Sequence, residues 1–169
     1  MAVQSTTTIQ APIDQVIRAF ADENFARFAS EKVRVTFESF QLEGDPAGAF
    51  TATTVRAVPA DRIPDMAKKI PGVSNGISMT QVDQVSAPAA DGSRTINSEV
   101  SVKGVPVTGS ARQTLTADGE STQIQVEGQV NCSIPLIGKK IAAAAEPQIG
   151  RVFSALSSGA EEFIAQNYA

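Results

Sequence analysis

Apolar and polar residues follow two different rhythms along this chain, helical near both ends and alternating in between. Val3 to Gln10 is rich in Thr and Val, as a strand would be, and Ala11-Pro12 punctuates it. Ile13, Val16, Ile17 and Phe20 then fall at i, i+3, i+4 and i+7, the spacing of one helix face. Asp22-Glu23-Asn24 breaks this helix, and Phe25, Phe28 and Ala29 predict a second short one ending near Ser30.

From Val33 the period is two. Val33, Val35 and Phe37 alternate with Arg34, Thr36 and Glu38, which predicts a half-buried strand, and Gly44-Asp45-Pro46 turns it into a Thr-rich strand from about Phe50 to Val58. Residues 59–72 carry three prolines and predict a loop with a short helix. Strand-like segments follow near Ile77–Val85, Arg94–Lys103 and Gly109–Ala117, with turns at Pro88–Gly92 and Gly104–Pro106. The last strand, Thr122 to Ile134, alternates most regularly, with Ile124, Val126, Gly128, Val130 and Cys132 on one face.

After Pro135 the period becomes helical again. Ile137, Ile141, Ala145, Ile149, Val152, Phe153, Leu156, Ala160, Phe163 and Ile164 form one stripe, predicting a helix of roughly 30 residues. Pro147 stands inside it and predicts a kink near Ala144 to Glu146, or a break followed by a second helix. One strand, two short helices, six antiparallel strands and a long helix make an α+β order in which the sheet must cover the stripe. A closed lipocalin-like barrel is the rival; the length of the stripe favours an open, curved sheet gripping the final helix.

Composition narrows the chemistry. The 169 residues are 42% apolar, enough for one domain spanning 1–169. A net charge of −4, with 14 Lys and Arg scattered along the sequence, leaves no footprint for a phosphate backbone, so no nucleic-acid partner is expected. No run reaches the ~18 apolar residues of a membrane span, and residues 1–20 lack a signal-peptide core, so the expectation is a cytoplasmic protein without stable membrane insertion. The absence of His and the single Cys132 exclude imidazole catalysis and an ordinary zinc site, and no cofactor is expected. A monomer or weak homodimer completes this picture.

Three segments carry a family resemblance: Phe20-Ala21-Asp22-Glu23-Asn24-Phe25, Asp61-Arg62-Ile63-Pro64 and Ile134-Pro135-Leu136-Ile137-Gly138-Lys139-Lys140-Ile141. With the element order, they resemble the START-like (SRPBCC, helix-grip) superfamily, which includes the birch-pollen allergen and bacterial polyketide cyclases. Within it they are similar to a bacterial domain of unknown function, and the likeness covers nearly the whole chain. Pro147 departs from that branch's pattern. The resemblance implies a helix-grip fold with a cavity between sheet and C-terminal helix, but transfers no catalytic motif.

In such a fold the inward strand face should include Phe37, Met79, Val100 and Leu115, continued by Val152, Phe153 and Leu156 from the helix. Polar residues in phase with that face, namely Ser39, Gln41, Gln81, Asp83, Ser98 and Gln113, would orient a ligand, and Arg56 would neutralise a carboxylate. A dry core with paired polar groups is the other account of the same pattern. The expected function is binding, transport or sensing of a small hydrophobic, lipid-like or polyketide-like molecule. The alternatives are a cyclase or dehydratase acting by confinement, with Asp83 as the one candidate base, and a protein-interaction module.

Overall fold

Antiparallel pairing joins seven strands into one sheet of order β1-β7-β6-β5-β4-β3-β2. The strands are β1 (Ala2–Ile9), β2 (Thr36–Gly44), β3 (Phe50–Val58), β4 (Ile77–Val85), β5 (Arg94–Val102), β6 (Val105–Asp118) and β7 (Ser121–Cys132); the helices are α1 (Ile13–Phe20), α2 (Glu23–Lys32) and α3 (Gly138–Asn167). This computed structural model describes residues 2–63, 65 and 67–168, and only the backbone of residues 2, 3, 67, 145, 148–150, 152 and 153. From β2 to β7 the sheet is a meander of neighbouring hairpins. β1 closes it from the other side, pairing with β7 in a register that sets Ser5 opposite Val126.

The sequence pattern explains most of the layout. Arg94, Ile96 and Ser98 are buried on β5 while Asn97 and Glu99, alternating with them, are exposed, so one sheet face is covered and the other solvated. The sheet curves around the covered face, and Gly128 permits it: a Cβ there would lie 2.9 Å from the Ser110 carbonyl oxygen and 3.2 Å from Ala111 Cβ. Helices α1 and α2 join the two edge strands, β1 and β2. Asp22, expected only as a break, caps α2 by accepting from the Asn24 amide at 2.9 Å.

Two expectations need correction. Helix α2 runs to Lys32 rather than ending near Ser30, so the alternating segment at Val33–Val35 is the turn out of the helix, with Arg34 at φ 60°, and β2 starts at Thr36. Within β2 the register then slips. Phe37 faces Arg56 but Ser39 faces Val55, so Glu38 is a bulge that reverses the phase of every later residue.

Helix α3 is one continuous helix through Pro147, so it does not break and restart there. It packs on β1 and β7 and against α2. Its two ends serve different hydrophobic clusters. Ala160, Phe163 and Ile164 join the main core of α1, α2 and the inner sheet face, including Ile9, Val16, Ile96 and Leu115. Ile141, at the other end, joins a second cluster with Ile63, Ile70 and Val73 from the loop between β3 and β4.

Phe163 is the aromatic keystone of the main core. Its ring centroid lies 5.4 Å from Phe25, 5.7 Å from Phe28 and 5.6 Å from Tyr168, and it is 4% exposed. Truncation to alanine should therefore destabilise the chain by ~3–5 kcal/mol in urea unfolding, through lost burial and the cavity left behind. A loss below ~0.5 kcal/mol would mean that α3 does not dock by this face.

Candidate functional site

A cavity lies between the covered sheet face and the helices, and its floor is polar. Alternation on β3 and β4 brings Thr54 and Arg56, then Gln81 and Asp83, onto the inner face, and cross-strand pairing sets Gln81 opposite Thr54 and Asp83 opposite Ser98. Apolar walls come from Phe20, Phe25, Phe40, Val85, Ile96 and Ile124, with Leu156 and Ser157 of α3 above. The enclosed space is about 70 Å³. That exceeds the ~15 Å³ one water needs but falls short of the ~300 Å³ of ordinary ligand pockets. In this form it has room for several waters or the head of a small molecule, not for a lipid chain.

The polar residues form one directional chain of hydrogen bonds. Arg56 donates from Nε to Ser30 Oγ at 2.9 Å and from Nη1 to Gln81 Oε1 at 2.9 Å. Because a guanidinium can only donate, the Gln81 amide must turn its oxygen to Arg56 and its nitrogen to Asp83. Gln81 Nε2 duly lies 3.0 and 2.9 Å from the two Asp83 oxygens. From the other side Ser98 donates to Asp83 Oδ1 at 2.5 Å, and Gln113 Nε2 donates to Ser98 Oγ at 3.4 Å. Ser30 in turn donates back to the Ala26 carbonyl at 2.7 Å within α2. From Arg56 on one side and Gln113 on the other, the donors run toward the Asp83 carboxylate.

Burial works against both charges. It pushes the Asp83 carboxyl above its ordinary value, and the hydrogen bonds from Gln81 and Ser98 and the attraction of Arg56 only partly offset it. It pulls the Arg56 guanidinium down, opposed by Asp83, but an arginine remains charged at neutral pH. Although Asp83 counts as half-buried by surface, that surface opens onto the cavity, and its surroundings are protein. Among the described residues Arg56 Nη2 has no hydrogen-bond partner, which leaves N–H groups for whatever enters the cavity. No group of three or more Cys, Asp or Glu among the described residues is arranged to hold a metal.

Of the residues expected from the sequence, Arg56, Gln81, Asp83, Gln113 and Leu156 line the cavity, and Ser98 completes their network. Leu115, 0% exposed, belongs to the packed core rather than the lining. Met79 and Val100 are half-buried on the same face, two residues along the strands from Gln81 and Ser98 and outside the lining. Two expectations on β2, Ser39 and Gln41, are corrected by the bulge at Glu38; Phe37 precedes it and keeps its phase opposite Arg56, but lies outside the cavity lining. Ser39 and Gln41 are exposed on the outer face, and Phe37 stays at the sheet edge under the Arg27 guanidinium, 4.4 Å from its ring centroid. The side chains of Val152 and Phe153 lie outside the described residues.

Ser30, Thr54 and Phe40 were missed. Thr54 is in phase with Arg56 and could have been found by counting back two residues. Phe40 needed the bulge, and Ser30 needed the docking of α2 onto β3, which no local pattern announces. Asp22 also lines the cavity, where its second oxygen accepts from the Tyr168 hydroxyl at 2.8 Å. Burial and Asp22 together keep that phenol protonated well above its ordinary range, so the C-terminal end of α3 is latched to the start of α2.

The family model described as "Protein of unknown function (DUF2505)" matches residues 4–164. The chain belongs to this family. No curated protein matches it. Among solved structures, TTHA0849 from Thermus thermophilus is similar with a TM-score of 0.61 at 12% identity, covering 100% of both chains. The ZhuI aromatase/cyclase from Streptomyces sp. R1128 has a TM-score of 0.59 at 13% identity over 100% of this chain and 96% of its own. A START superfamily protein from Mycobacterium smegmatis has a TM-score of 0.57 at 13% identity over 98% and 97%. At these identities the likeness establishes the START-like helix-grip fold.

The raised Asp83 carboxyl has a thermodynamic signature. The folded chain holds this proton more tightly than the unfolded chain, so the contribution is fully present below the ordinary value of 3.8 and is lost as pH rises through the folded value. The stability of the wild type relative to Asp83→Asn should fall as the pH is raised from about 4 in a series of urea titrations. A difference that does not change with pH would mean that Asp83 titrates normally.

Proposed function

We propose that this protein binds a small molecule with an apolar body and a head that accepts hydrogen bonds, an anionic group above all, and that it acts as a carrier or sensor rather than as a catalyst of strong acid-base chemistry. The observation that carries the reading is the half-buried Arg56, whose free N–H groups belong to a cavity with aromatic and aliphatic walls. A buried cation is costly unless it is paired, and here its carboxylate counterpart stands one amide away. A ligand anion would supply the direct partner that Gln81 keeps Asp83 from being. The ligand body would follow the apolar walls past Leu156 and Phe40 toward the opening, because the enclosed space takes only the head.

Native mass spectrometry of protein from its own host, followed by calorimetry with small aryl and alkyl carboxylates and their methyl esters, tests this. Carboxylates should bind and esters should not, and Arg56→Met should weaken binding by roughly 10- to 100-fold, the worth of a hydrogen bond to a charged group. Empty protein from the host, together with no binding across the series, would overturn the proposal.

The Asp83 carboxyl favours a second reading. A carboxyl whose proton affinity is raised by burial keeps more of its proton toward neutral pH than an ordinary one and can pass it to a substrate oxygen, as a cyclase or dehydratase acting by confinement requires. The solved structure of similar fold from Streptomyces sp. R1128 is an aromatase/cyclase. Turnover of a bound polyketide-like substrate that Asp83→Asn abolishes, with binding retained, would promote this reading over a carrier.

A further inference from the structure

The meander sorts charge between its two ends. The turns β2–β3, β4–β5 and β6–β7 share one end and carry exposed Glu43, Asp45, Asp91, Asp118 and Glu120. The other end holds the β3–β4 loop, the β5–β6 turn and the β7–α3 junction. Of the six lysines, Lys32, Lys68, Lys69, Lys103, Lys139 and Lys140, all but Lys32 lie there, and those five are exposed. Their neighbours Ile70, Val105 and Ile141 belong to one hydrophobic cluster, which places the five cations around a common base. Only Asp61 and Asp65 oppose them on the loop, Asp65 at 3.5 Å from Lys68.

Leu136 lies at this basic end, in the β7–α3 junction just before Lys139 and Lys140. It is 99% exposed, whereas the only other exposed large hydrophobic among the described residues, Leu42, is 38% exposed. Its backbone is held at φ 73°, a conformation leucine rarely adopts. Ile134 and Ile137 on either side pack into the second cluster, so the loop is anchored and presents Leu136 outward. A single exposed leucine is ordinary, but one held exposed at a positive φ among five lysines offers the folded chain nothing and points outside it.

We infer that the basic end docks on an anionic membrane surface, Leu136 entering the acyl boundary while Lys68, Lys69, Lys103, Lys139 and Lys140 meet lipid phosphates. A single protruding aliphatic side chain with lysines around it suits a soft apolar layer under a charged surface. A protein partner would select a broader apolar patch depleted in lysine. A nucleic acid would use the lysines but not the leucine, and this end offers no aromatic platform among its described residues. No helix of the described residues is long and apolar enough to cross a membrane, so the association is peripheral.

Sedimentation with phosphatidylcholine vesicles, with and without phosphatidylglycerol, tests the inference on the full chain. Binding should require phosphatidylglycerol and fall as salt is raised. Replacing Lys139 and Lys140 by glutamine should weaken it about fivefold per lysine. Leu136→Asp should weaken it at least about tenfold with no loss of melting temperature, since the side chain touches little and aspartate tolerates a positive φ better than leucine. Leu136→Gly should weaken vesicle binding while raising the melting temperature, because glycine accepts the positive φ. No preference for phosphatidylglycerol would overturn the inference. So would vesicle binding indifferent to both Leu136 variants, or displacement from vesicles by soluble polyphosphate with the same affinity in wild type and Leu136→Asp, which marks a general polyanion site.

Discussion

The half-buried guanidinium of Arg56 orders the polar floor of this protein's cavity. As a pure donor it fixes the Gln81 amide, Gln81 then donates to both Asp83 oxygens, and Ser98 and Gln113 complete the shell from the neighbouring strands. Ser30 extends the same chain to α2, so the position of the helix and the polarity of the sheet floor are set by one cation. Replacing the whole set with aliphatic residues would fill the cavity and remove the desolvation cost. Keeping it leaves the space polar and directional.

Much of the architecture was legible because a half-buried sheet writes itself in period two. β3 and β4 occupy the ranges that alternation predicts, and Gln81, Asp83, Ser98 and Gln113 were assigned to the inner face by phase alone. The same logic failed on β2, where the single extra residue Glu38 turned Ser39 and Gln41 outward and Phe40 inward. A bulge is a property of two strands together, and one strand's sequence does not contain it. Ser30 was illegible for a related reason: its hydrogen bond to Arg56 spans 26 residues and exists only once α2 has docked.

The cations illustrate a different limit. Along the sequence they are scattered, and on that basis they say nothing about a partner. Successive hairpins fold this scatter into two ends of opposite sign, because alternate turns of a meander return to the same edge. Charge placement is thus readable only after topology is known.

The pairing of β1 with β7 sets the order in which this chain can acquire its structure. The strands from β2 to β7 can add to one another hairpin by hairpin, but β1 finds its partner only in Ser121–Cys132, and α3, which rests on both, is made last. On a ribosome the first strand would wait unpaired while more than a hundred residues emerge, its Thr-rich edge open to other strands. The sequence Gln4-Ser5-Thr6-Thr7-Thr8 is polar for so long a wait, and this keeps an orphan strand soluble until its partner arrives.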